Sequence, residues 1–296
     1  MSHLLEQLLN GLQLGFVYAL IALGYTMVYG IIRLINFAHG DVFMVGAFVG
    51  YFGFEVYKIP WPLAIVLSMV VCAVFGMTIE RLAYRPLRQK GAPRIAALIT
   101  AIGVSLFIEY FFSLKFAFGA NFRSVPRPFA DKIWSIGGIG ISNVQVLVIV
   151  TVLVLLAILQ YIVYHTKVGK AMRAVSHDQD AARLMGIDVD MIISFTFAIG
   201  SALAAAGGVL YALAYPQIYP FMGIMPGLKA FTAAVLGGIG NIPGAVLGAL
   251  IMGQAEVLTA GYITTNYRDA IAFSILIIVL LVKPAGLLGK SGPEKV

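Results

Sequence analysis

The chain has 296 residues, 60% of them hydrophobic and 11% charged, with a mean hydropathy of +0.95. That composition describes an all-α polytopic membrane protein and excludes a water-soluble enzyme or binding domain. The net charge of +7 does not point to nucleic acid, because the basic residues sit in short loops beside apolar runs, where the positive-inside rule places them.

Met1 to Asn10 lacks a basic n-region and leads into an apolar run longer than a signal-peptide core, so no cleavable leader is expected. The first span is expected over Leu12 to Ile32, enough to cross a bilayer at about 1.5 Å per residue. Arg33, Asn36, His39 and Asp41 follow, immediately before an apolar run that is short for a full span. Polar groups at such a place are costly unless they face protein or water. His39 with Asp41 lacks the further ligands of a metal site, and a polar helix cap is the ordinary reading. A third span runs from Trp61 to about Leu82 and contains Cys72, the single cysteine, which has no partner for a disulfide or a thiolate metal site. Arg81, Arg85, Arg88, Lys90 and Arg94 then supply the strongest cytoplasmic label.

Ile95 to Leu114 carries the chain out, and Lys115 to Asn143, with its prolines and a Gly137-Gly138-Ile139-Gly140 run, reads as an external loop. Val144 to Tyr164 returns inward. Residues 165–190 form a cytoplasmic polar loop containing one short helix. Ser176 with Gln179 matches a capping box, Asp178 and Asp180 complement the helix dipole, Arg183 lies near the other end and Gly186 suits the left-handed stop. Ala181, Leu184 and Met185 fall on one face, which has no soluble core of its own to enter.

Ile187 to Tyr211 leads out again, with Gly200, Ser201, Ala204, Ala205, Gly207 and Gly208 suited to close helix packing. Between Pro226 and Ala260 two apolar pieces flank Gly237 to Gly244, a run too rich in glycine and proline to stay helical. Two pieces that double back would leave a last span, Ala270 to Val282, exiting inward with Lys283, Lys290 and Lys295 cytoplasmic. The expectation is therefore about eight spans plus broken or re-entrant helices. The break at Asn36 to Asp41 resembles that at Gly238, Gly240, Asn241 and Pro243, a pairing that points to a translocation path between internal repeats. Glu109 and Glu256 are expected near the external interface, and Lys229 is expected to snorkel from a helix end. Gly289-Lys290-Ser291 fails as a phosphate-binding loop, since Pro284 stands where glycine is required.

YALIALGYTMVYGIIRLINFAHGDVFMVGAF, DQDAARLMGID and KAFTAAVLGGIGNIPGAVLGALI closely resemble the LivH-type permeases of bacterial branched-chain amino-acid ABC importers. The resemblance extends from about Gly11 to the KPAGLLG run. It implies one permease unit over residues 1–296, without catalytic residues, metal or cofactor, in the bacterial inner membrane. It also implies a second homologous permease, two cytoplasmic ATPases that bind the ATP and Mg, and a periplasmic binding protein. Asp180, Ala181, Ala182, Arg183, Leu184, Met185 and Gly186 match the family's ATPase-coupling helix. Relatives with similar motifs carry urea, short amides or other small organic solutes, so the motifs define the machine better than its cargo. A secondary transporter would need membrane-embedded carboxylates or sodium sites, which are sparse here. A channel would need no coupling helix, and no convergent catalytic cluster supports a membrane enzyme.

Overall fold

The computed structural model describes residues 2–130, 132–136 and 139–289. Helix α1 (Ser2–Ile32) is about 46 Å long at 1.5 Å per residue, well beyond the ~30 Å hydrocarbon core. After Ile32 the chain is non-helical until α2 (His39–Tyr51), which ends in a π-helical turn, Phe52–Val56. Prolines at residues 60 and 62 start α3 (Trp61–Ile79), which passes through a second π-helical turn, Glu80–Tyr84, into α4 (Arg85–Gln89). α5 (Arg94–Ser113) returns to the opposite end.

There the expected external loop is a small β excursion. β1 (Arg123–Ser124) is followed by a hairpin of β2 (Ile133–Ile136) and β3 (Ile139–Ser142), with Ile133 facing Ser142. Ser142 and Gln145 form a reciprocal capping box that opens α6 (Asn143–His165). Two helices, α7 (Lys167–His177) and α8 (Gln179–Leu184), precede α9 (Val189–Ala214). β4 (Gln217–Ile218) pairs antiparallel with β1, and α10 (Ile224–Gly237), α11 (Ile242–Tyr262) and α12 (Arg268–Val282) complete the described chain.

Among the described residues seven helices are long and apolar enough to cross a membrane, in line with about eight spans plus broken or re-entrant helices; α10 is too short, as is α2. Their shortness has a geometric reason. Gly24 of α1 lies against His39 and the carbonyl of Gly200, eight residues before the end of α1, which puts the start of α2 about 12 Å inside that end. The start of α10 meets the start of α2 directly: a Cβ on Gly40 would fall 2.6 Å from the Gly223 oxygen and 3.2 Å from the Gly227 Cα. Two half-length helices thus point their N-termini at each other near mid-membrane. One is entered from the cytoplasmic end through residues 33–38, the other from the external end through residues 215–223.

An inverted order results, in which α1, α2 and α3 correspond to α9, α10 and α11. α1 packs along α11 as α9 packs along α3, and α1 and α9 cross at the centre. The small residues of α9 make this approach feasible: Ser201 meets Gly76 of α3, Ala205 meets Gly46 of α2, and Gly208 meets the Phe43 backbone. The internal repeat is therefore present, but its second re-entry precedes α10 instead of following it. The glycine-rich break comprises only residues 238–241, because Ile242 to Gly244 already form the first turn of α11 with Pro243 in its tolerated early position. It lies at the cytoplasmic end, where Gly240 approaches Gly30 and the amides of Leu287 and Leu288 donate to the carbonyls of Leu236 and Gly237.

The ends are identified by their contacts. Arg85 and Arg88 meet Asp190 at the end carrying the basic loop, and the residue 283–289 segment lies there too. At the opposite end Gly140 donates to Glu6 and Gln145 to Asn10, which places the start of α1 away from the basic loop, at the end that the positive-inside rule makes external. Lys283 finishes at the same end as the basic loop; Lys290, Ser291 and Lys295 lie outside the described residues, as do Gly137 and Gly138.

Candidate functional site

The polar loop of residues 165–190 contains two helices where one was expected. Thr166 caps α7, accepting from the Gly169 amide at 3.0 Å, and Gly169, Met172 and Val175 turn inward on one face. Because α7 runs through His177, Ser176 is already helical and its hydroxyl donates to the Arg173 carbonyl. The expected capping box is thereby replaced: Asp178 caps α8, accepting from Asp180 and Ala181 at 2.9 and 3.0 Å. Gln179, freed from capping, donates to the Ile31 carbonyl at 3.0 Å and ties the loop to the inner end of α1. Gly186 stops the helix at φ +81°, and Ile187 donates back to Ala182.

The six-residue α8 therefore has a fixed entry, a fixed exit and one residue, Ala182, packed beneath it. Arg183 and Asp180 form an exposed pair at 3.5 Å. Ala181 is exposed, while Leu184 and Met185 are 89% and 82% exposed on a polar end of the molecule. Directly after this loop, Asp190 on α9 bonds Arg85 at 3.0 Å, Arg88 at 2.6 Å and Gln89 at 3.2 Å. Arg88 also meets the fully buried Glu80, whose other oxygen accepts from Ser194 at 2.6 Å. This clamp, whose partners are about a hundred residues apart in sequence, fastens the loop's exit to the foot of α3.

The first group of residues expected on the path is brought together at the junction of α2 and α10. Asn36, His39 and Asp41 are all buried. Asn36 accepts from the Tyr84 hydroxyl at 2.8 Å, His39 sits edge-on to Tyr25 at 4.8 Å, and Asp41 accepts from Ser105 at 2.5 Å, one turn from Glu109. None acts as a cap, since Ala38 occupies that position without a side-chain bond. Gly238, Gly240, Asn241 and Pro243 are not part of this group. Asn241 caps α11 through the Gly244 amide and donates to the Leu288 carbonyl at the cytoplasmic end.

The sequence reading missed a buried charge cluster below the external end. Glu256 and Lys229, on α11 and α10, are 1% and 4% exposed and bond at 2.8 Å. Glu256 also accepts from Tyr18 at 2.9 Å and from Arg268, while Lys229 reaches Asp269 at 2.6 Å. Lys229 does not snorkel and Glu256 is not exposed, because each meets its opposite charge across packed helices. Glu109 is likewise buried among protein side chains. An intramembrane acid and base on different helices were the available signal for the Glu256 pairing.

The profile of the family described as branched-chain amino acid transport system / permease component matches residues 7–280. The chain belongs to this family. It is 44% identical to the high-affinity branched-chain amino acid transport system permease protein LivH of Escherichia coli K12, over 99% of this chain and 98% of that one. It is 43% identical to the high-affinity branched-chain amino acid transport system permease protein BraD of Pseudomonas aeruginosa, over the same shares. A more distant relative, the ribose import permease protein RbsC of Haemophilus influenzae, is 25% identical over 94% of this chain and 84% of its own. Among solved structures, PsaBC from Streptococcus pneumoniae in complex with Fab shares the fold at a TM-score of 0.50 and 13% identity, over 96% and 93% of the two chains.

Proposed function

We propose that this permease is one of two homologous membrane subunits of an ATP-driven importer of branched-chain amino acids in the bacterial inner membrane. Cargo arrives from a binding protein at the external end, and two cytoplasmic ATPases, which hold the ATP and Mg, drive its passage. The chain itself carries no cofactor and performs no bond chemistry. The observation that carries this reading is α8: an apolar pair, Leu184 and Met185, held out from the cytoplasmic end on a rigid, doubly terminated turn. Exposed large apolar groups on a polar surface fit a partner groove, and Gln179 and Asp190 connect that turn to α1 and α3.

The test is reconstitution with the partner subunits and ATP-driven uptake of leucine, isoleucine and valine, set against urea and short amides. Leu184→Glu places a charge against the ATPase groove at a cost of several kcal/mol. We expect uptake to fall at least tenfold while the permease still inserts. Full coupling of hydrolysis to uptake in that variant would rule out docking through α8, and uptake of urea but not leucine would reassign the cargo.

A further inference from the structure

Beside the buried charge cluster is a cavity of about 300 Å³ between the external ends of α1, α9, α11 and α12. Its wall combines three amide side chains on one face of α1, Gln7, Asn10 and Gln13, with an apolar surface from Leu14, Val257 and Ala260. Arg268 and Glu256 close the remaining side. That volume lies at the small end of the range in which proteins hold organic ligands, roughly 300–1,000 Å³.

The charges decide what kind of solute fits. Arg268 turns Nε and Nη2 toward Glu256, and Nη1 has no partner among the described residues. A guanidinium edge of that kind matches a carboxylate. Glu256 is saturated by Tyr18, Lys229 and Arg268, so it is not available as a counter-ion for a cation. Lys229 and Arg268 together balance Glu256 and Asp269, which leaves the cluster without net charge. A solute bearing net charge would lose hydration here without compensation, whereas a solute carrying both signs would not. The amides of Gln7 and Gln13 offer acceptors for an ammonium without adding charge, while the Asn10 oxygen already accepts from Gln145.

We infer that this cavity is a weak external entry site for a zwitterionic amino acid with an aliphatic side chain. Its carboxylate meets the open edge of Arg268, its ammonium the amide row of α1, and its side chain Leu14 and Val257. The site rests on the importer reading and deepens it, by giving cargo a first foothold on the permease itself.

The test uses the complete complex in nanodiscs without binding protein, with L-leucine as the probe in saturation-transfer difference NMR. We expect transfer to leucine with millimolar half-saturation, and at least tenfold weaker binding of 3-methylbutylamine and of 4-methylpentanoate, each lacking one charge. Ala260→Phe, which fills the cavity, should abolish the signal. The two analogues test the site on the wild-type complex should that variant fail to assemble. Absence of leucine transfer, equal binding of either analogue, preferential binding of urea or acetamide, or an unchanged signal in a folded Ala260→Phe complex would each overturn the site. ATP-driven uptake in the same complex with binding protein separates the two readings. Leucine uptake without cavity binding removes only this site, and cavity binding without leucine uptake removes only the importer assignment.

Discussion

Glu256 is a hub. Removing one member of a buried ionic cluster strands the others, which costs roughly 3–5 kcal/mol. We expect Glu256→Leu to reach that range, because it leaves Lys229 and Arg268 facing one another and Tyr18 without its acceptor. Lys229→Met should cost less, since Glu256 keeps Arg268, and the double variant should cost less than the two added together. Thermal unfolding of the purified permease checks the order; additive losses would show that the residues do not act as a unit. These residues were hard to read in sequence for a physical reason. A lysine near a helix end has a snorkelling alternative, and only packing shows that its helix is enclosed. Asp41, by contrast, stood out because an acid at the start of a short apolar helix has few alternatives. The α8 cap falls between these cases: Ser176 and Asp178 both suit a cap, and the register of the preceding helix selects Asp178.

Helix α8 was legible because its signals are local: a cap, a dipole complement and a glycine stop within one turn or two. Loss of the cap in Asp178→Ala should weaken the turn by about 1 kcal/mol. We expect this to lower the ratio of solute transported to ATP hydrolysed more than it lowers hydrolysis itself; an unchanged ratio would show that α8 needs no preformed geometry. The half-helices were only half legible. Residues 33–38 announce themselves with polar groups, but the second re-entry, residues 215–223, is largely aromatic and apolar, and the conspicuous glycines after α10 drew the break there instead. What the second re-entry requires is closeness. A side chain on Gly223 would meet the Gly40 carbonyl, so Gly223→Val should prevent assembly of the folded permease. Gly103, on the exposed side of α5, has nothing near it, and Gly103→Ala should be neutral or stabilising by about 0.5–1 kcal/mol. Equal yields and melting temperatures of the two variants would contradict the crossing.

At the scale of the whole chain, the arrangement shows which segments share an end, and the charge rule then assigns each end a side. After Cys72, buried at 3.8 Å from the Val42 carbonyl, is replaced, single cysteines report access from each face. Leu4→Cys and Trp134→Cys should react with an impermeant thiol reagent from outside, and Met185→Cys and Gly240→Cys from inside. Labelling of Gly240→Cys from outside would invert the placement of the 238–241 turn. The composition made the membrane class readable; the end at which α1 starts was not, because its first ten residues carry too little charge to be sorted. The same helix has a mechanical consequence. Its contact with Gly200 at Gly24 divides it into an outer arm of about 33 Å and an inner arm of about 12 Å. Glycine against glycine has no rotamers to rearrange, which makes this contact a suitable fulcrum, and Gln179 grips the short arm at Ile31. If α1 tilts there as a rigid rod, we predict that displacement at the cytoplasmic end is magnified about twofold beside Gln7 and Asn10. Spin labels near each end, measured with and without ATP, would show unequal travel; equal travel would mean that the helix slides instead of levering.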